Sequence, residues 1–225
     1  MSVAFIHTLS GPDHYLPFIM IAKARNWSLA KTSWFTFLCG LGHVGSSVVL
    51  GFIGIAFSIG LSNLELFESV RGSMISWLFT AFGLVYLVWA IYRILRGKKH
   101  THIHYHDSGN KHVHEHSHQS DHMHVHDEKT KTNITPWILF TLFVFGPCEP
   151  LIPLLMYPAS EQSKFGTVIV AVVFSVVTIS TMLVMVLLPL SGLKLLPMKF
   201  LHRYMHAIAG ATILLCGISI EFMGL

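Results

Sequence analysis

The sequence predicts an all-α, polytopic membrane protein: six transmembrane helices in two inverted three-helix repeats, with the first and fourth helices broken. Three observations lead there. Of 225 residues, 52% are hydrophobic and only 12% charged, against about 25% charged in an ordinary soluble domain. The mean hydropathy of +0.59 agrees, because a soluble fold could not hide that much apolar surface. The apolar residues also fall in continuous runs of about 20, the length at which a helix crosses the hydrocarbon core, without the alternation of barrel strands. Finally, 13 of the 15 Lys and Arg residues fall in three loops that six spans would place on one side of the membrane.

These features exclude a cytosolic enzyme, a secreted domain and a disordered chain. Cys39, Cys148 and Cys216 are an odd set with no Cys-x-x-Cys spacing, so neither a disulfide framework nor a zinc ribbon is expected. The net charge of +4 belongs to the loops, and no nucleic-acid partner is expected. No Lys or Arg occurs from Met1 to Phe18, so no secretory signal peptide is expected.

The spans are read in order as Ser2 to Ile21, Ser33 to Ile59, Met74 to Ile94, Pro136 to Tyr157, Gly166 to Pro189 and Tyr204 to Phe222. They divide the chain into a first repeat (1–95), a His-rich loop (96–135) and a second repeat (136–225). The positive loops hold Lys23, Arg25 and Lys31, then Arg93, Arg96, Lys98, Lys99, Lys111, Lys129 and Lys131, then Lys194, Lys199 and Arg203. Arg71 and Lys164 fall on the other side. The expected location is the plasma membrane, with both termini outside and the His-rich loop in the cytoplasm.

The breaks come from proline chemistry. The first span contains Gly11-Pro12-Asp13-His14-Tyr15-Leu16-Pro17, and the fourth contains Gly146-Pro147-Cys148-Glu149-Pro150. Pro lacks an amide hydrogen and clashes one turn back, which interrupts a helix. The freed backbone groups must then find partners inside the protein. Three spans per unit force opposite topologies, and paired broken helices point to a central site; simple kinks are the plain alternative. Asp13 and Glu149 lie inside the spans, where a charge costs about 2.5–3.5 kcal/mol on insertion scales. The second span adds His43 within Gly40-Leu41-Gly42-His43-Val44-Gly45-Ser46-Ser47, either a ligand or a helix-packing histidine. Imidazole and carboxylate together suit Ni, Co, Zn or Cu(II). The expected intramembrane metal set is therefore Asp13, His14 and His43, with His7, Cys148 and Glu149.

From His100 to His126 there are 11 histidines in 27 residues: His100, His102, His104, His106, His112, His114, His116, His118, His122, His124 and His126. The segment is polar and without apolar periodicity, so it is expected to lie outside any packed core. It is expected to bind borderline divalent metals, or else to be a solvated linker.

The segment from His7 to His14 resembles the His-x4-Asp-His signature of nickel/cobalt transporters, although five residues separate His7 from Asp13 here. Gly42-His43 resembles the Gly-His element of their next helix. Phe145 to Pro150 resembles the Pro-Cys-Pro region of nickel/cobalt efflux and urease-accessory-type membrane proteins. This resemblance implies a divalent-metal transporter for nickel or cobalt, with zinc as a further cargo. It does not carry direction; export is the expected one beside import, since a cytoplasmic metal-binding tract can load an exporter or receive imported metal. It implies no required cofactor, no enzymatic activity, and a metallochaperone or urease-maturation partner in the cytoplasm. Two alternatives stand beside it. One is a sulfite-type small-anion exporter of related topology, which Asp13 and Glu149 oppose. The other is a membrane thiol–disulfide electron carrier, because Pro147-Cys148-Glu149-Pro150 resembles the Pro-Cys-x-x-Pro element of cytochrome-biogenesis carriers. That chemistry needs a second thiol, and the matching break carries Asp13.

Overall fold

The computed structural model describes residues 1–96, 100–105, 111–116, 134–146, 148–161, 163–193 and 202–223. The first apolar stretch is three pieces: α1 (Ser2–Ser10), a 3-10 turn (Pro12–His14) and α2 (Leu16–Ala24). Helix α3 (Leu29–Ala56) starts where the Ser28 hydroxyl accepts from the Lys31 amide at 3.2 Å, satisfying one orphan donor of the first turn. Helix α4 spans Leu61–Leu95. The second half holds α5 (Thr135–Phe145), α6 (Leu151–Ser160) and α7 (Lys164–Leu193), then a 3-10 turn (His202–Tyr204) and α8 (Met205–Met223).

Among the described residues, four helices are long and apolar enough to cross a membrane: α3, α4, α7 and α8. Helices α1, α2, α5 and α6 have 9 to 11 residues, and at 1.5 Å per residue each covers about half the hydrocarbon core. The chain is a multi-pass membrane protein. Trp34, Val85, Val176 and Leu188 are among the large apolar side chains exposed on its outer surface, where lipid is their solvent.

Both Gly-Pro positions interrupt their helices as the sequence requires. Gly11 is extended (φ −84°, ψ 97°) between α1 and the 3-10 turn, and Gly146 is extended (φ −64°, ψ 135°) after α5. Two expectations need correction. Helix α4 begins at Leu61, well before Met74, because Glu65, Glu68 and Arg71 lower the hydropathy of its first turns without ending the helix. Arg71 is accordingly no loop residue; it sits within α4, ion-paired to Glu68. The His-rich segment is not wholly irregular either. β1 (His100–Tyr105) and β2 (Lys111–His116) pair antiparallel, with His100, His102 and His104 opposite His116, His114 and His112. Alternation with the β-branched Thr101, Ile103 and Val113 supplies a period of two.

The core has two parts. The larger gathers Phe18, Ile21, Phe79, Phe143, Met182 and Ile213. The smaller gathers Ala4, Val44, Cys148, Leu151, Leu155, Ala171 and Phe174. Helices α4 and α8 meet through glycine: a methyl group on Gly210 would lie 2.6 Å from the Leu87 amide nitrogen, and one on Gly83 would collide with the Leu214 amide nitrogen. Close backbone approach through small residues is how helices pack where lipid supplies no hydrophobic drive.

Candidate functional site

The first break is closed by its own residues. With Pro12 unable to donate, the chain tightens into a 3-10 turn in which the His14 amide donates to Gly11 O at 3.1 Å. The His14 ring folds back over the same carbonyl, its Nδ1 lying 3.1 Å from Gly11 O and 3.1 Å from Asp13 Oδ1. A methyl group on Gly11 would sit 2.5 Å from that Nδ1, so only glycine lets the ring close down. Two acceptors at Nδ1 place a proton there, and in the neutral ring Nε2 then carries the lone pair. His14 Nε2 lies 3.3 Å from His43 Nε2 of α3.

His7 completes the group from α1. Its ring centroid is 5.0 Å from that of His14, edge to face, and His14 stands likewise 5.0 Å from His43. One nitrogen from each of the three rings lies within 4.8 Å of the others. His7 Nε2 and His43 Nδ1 are buried with no hydrogen-bond partner among the described residues. Three convergent imidazoles with a carboxylate behind one of them are donors of the type that could hold a borderline transition metal.

These residues line a cavity of about 610 Å³. Ser69, Ser73 and Ser76 of α4 form one wall, Glu149 lies beyond the second break, and Glu221 of α8 lines the cavity as well. The Ser73 hydroxyl donates to Glu221 Oε1 at 3.0 Å. No Lys or Arg is among the lining residues, which disfavours an anion there.

The second break is closed from a distance. A continuous helix would give the Gly146 carbonyl the amide of residue 150, but residue 150 is Pro and has none. Arg71 Nη2 reaches that carbonyl instead, at 3.4 Å. The Cys148 amide donates to Ser47 Oγ at 3.1 Å. Ser47 also accepts from Arg71 Nη2 at 2.8 Å and donates to Glu68 Oε1 at 3.2 Å. A hydroxyl has one donor and two acceptor sites, and all three are in use. Arg71 Nη2 contacts both Glu68 carboxylate oxygens, at 2.8 and 2.7 Å.

The structure therefore brings His7, Asp13, His14 and His43 together and places Glu149 on the same cavity. Cys148 does not join them as a cavity-lining residue. It is fully buried in the smaller core cluster, because its side chain packs among Ala4, Val44 and Leu151. Cys39 and Cys216 are buried free thiols on other helices. His106, His118, His122, His124 and His126 lie outside the described residues, and His100, His102, His104, His112, His114 and His116 lie on the hairpin, described by backbone alone. Sequence reading missed Glu68, Arg71 and Glu221. An acid and a base three apart on a helix, among Ser69, Gly72 and Ser73, were the signal for the first two.

The chain matches the family described as the cytochrome C biogenesis protein transmembrane region over residues 16–219, about nine-tenths of its length. No curated protein and no solved structure matches it. This overturns the assignment to nickel/cobalt transporters, and with it nickel or cobalt transport as the function. The reason lies in coverage: the motifs that suggested the transporters, His7 to His14, Gly42-His43 and Phe145 to Pro150, are short and the first stands before the matched stretch, whereas the match runs from α2 into α8. On that match, the chain belongs to the cytochrome C biogenesis protein transmembrane region family.

Proposed function

We propose that this chain is a membrane-embedded thiol–disulfide protein of the cytochrome c biogenesis type, with Cys148 as its working thiol. The observation that carries the reading is the position of Cys148: it lies inside the family-matched stretch and at the helix break, within Pro147-Cys148-Glu149-Pro150. The other break holds Asp13 where a second thiol would stand, so the chain works with one sulfur. The Cys148 thiolate attacks a disulfide of one partner; that bond breaks, a mixed disulfide forms, and the departing partner sulfur takes the proton Cys148 gave up. A dithiol on a second partner attacks Cys148 Sγ, frees the first partner as a dithiol, and closes on itself. Cys148 is restored, and two electrons have passed from the second partner to the first.

The frame we propose for this chemistry is six spans as two inverted three-helix units, α1/α2, α3 and α4 against α5/α6, α7 and α8. The Lys and Arg distribution supports termini outside and the His-rich loop in the cytoplasm. The test uses the full chain in detergent with a disulfide-linked thioredoxin-fold probe. A trapped mixed disulfide is expected from the unmodified chain and from Cys39→Ser and Cys216→Ser, but not from Cys148→Ser. Equal trapping by all four would overturn the reading.

A second reading concerns the polar half of the site. The three imidazole nitrogens within 4.8 Å of one another favour it. We propose that His7, His14 and His43 hold a borderline divalent transition-metal ion, with Asp13 orienting His14 from behind. The His-x-His tract offers such ions further imidazoles.

A further inference from the structure

We propose that Ser47, Glu68 and Arg71 form a latch on the second break, which keeps the Cys148 thiol sealed and frees it when the ion pair opens. The proposal rests on the reading of Cys148 as the working thiol and adds the residues that govern its access.

Three observations support a latch over a merely structural ion pair. The first is where the contacts go. Arg71 and Ser47 do not bind side chains of α5 or α6; they bind the Gly146 carbonyl and the Cys148 amide, the two backbone groups flanking the break. The second is saturation. Ser47 Oγ uses its whole hydrogen-bonding capacity on Glu68, Arg71 and Cys148, so any shift of the ion pair leaves Ser47 short of a partner and loosens the Cys148 amide. The third is what the thiol needs. Cys148 is wholly buried beside Ala4, Val44 and Leu151, and attack on a partner's disulfide requires a direct approach to sulfur. Turning Cys148 out of the smaller core would provide that approach, and Arg71 and Ser47 make the side-chain contacts that oppose it. Glu68 is 2% and Arg71 14% exposed at the side chain. A pair this dry is costly to break at one end yet contributes little net stability when intact, which suits an element with two states.

The experiment is alkylation of the full-length chain in lipid nanodiscs by a small membrane-permeant maleimide, with modification followed separately at Cys39, Cys148 and Cys216. Ser47→Ala and Glu68→Gln are each expected to speed modification of Cys148 at least tenfold, with the two other thiols keeping their rates. Unchanged Cys148 rates in both variants would overturn the latch. So would equal acceleration at all three cysteines, the signature of a generally loosened fold. If Glu68→Gln does not insert, Ser47→Ala carries the test alone, since it is neutral and removes one oxygen. Failure of the latch is distinguishable from failure of the thiol reading: selective Cys148 exposure without mixed-disulfide trapping keeps the first and sinks the second.

Discussion

The two breaks begin from the same dipeptide and end as opposite constructions. Gly11-Pro12 closes on itself, its backbone groups met by residues 7 to 15, and turns its polar groups into a cavity. Gly146-Pro147 is closed by Ser47 and Arg71, which lie 101 and 75 residues away in the chain, and turns its thiol into the core. A proline dictates that hydrogen bonds be lost; it does not dictate who replaces them. Local replacement gives a rigid, preformed donor set, and remote replacement makes the break depend on other helices.

The comparison is most exposed to Arg71→Met. Leaving Glu68 buried without its partner is expected to cost about 3–5 kcal/mol, read as a lowered unfolding midpoint in detergent, while the Glu68→Gln/Arg71→Met double variant recovers part of that loss. A midpoint unchanged by Arg71→Met would mean the second break does not depend on α4. At the first break, His14→Ala removes the ring that touches both His7 and His43. It is expected to weaken Co(II) binding, followed by visible absorption, by about a hundredfold, with the unfolding midpoint nearly unmoved. Equal Co(II) affinity in the two proteins would dissolve the metal reading.

Ser47→Ala strands the Cys148 amide and should cost about 1–3 kcal/mol, measurable in the same unfolding assay; a cost near zero would show that the amide finds another acceptor. Smallest is Asp13→Asn, which retains a carbonyl acceptor at His14 and loses the charge. Co(II) affinity should fall about tenfold, less than for His14→Ala. A loss as large as that of His14→Ala would make Asp13 a direct ligand.

Both breaks were legible in the sequence because proline's missing donor acts wherever it occurs. The imidazole cluster was legible in part: His14 and His43 stood out as polar groups in apolar spans, and the 3-10 turn at Pro12 brings His7 to them despite its irregular spacing. Glu68 and Arg71 were hidden, since charges near the end of an apolar window look like a loop until a partner helix is known. Cys148 was visible as a residue but not as a buried one, because burial against Ala4 and Val44 follows from tertiary packing. Three short motifs, His7 to His14, Gly42-His43 and Phe145 to Pro150, misdirected the functional reading. Such short stretches can share a metal-binding pattern across unrelated proteins, while a match through successive helices constrains the whole chain.

The glycine seam between α4 and α8 decides which part of the membrane protein can move. Backbone touches backbone at Gly83 and Gly210, without a side-chain layer on which the helices could glide. A slide of one helical turn, about 5.4 Å, would press larger residues into the space those glycines vacate. Helices α4 and α8 therefore behave as a stator, and Ser73 and Glu221 keep their spacing on it. Rearrangement around the cavity falls to the facing side, where α5 ends at Gly146 and its last carbonyl is met by a single guanidinium. Distance measurements between spin labels should show α4 and α8 at constant separation in every redox state, with the change confined to α5.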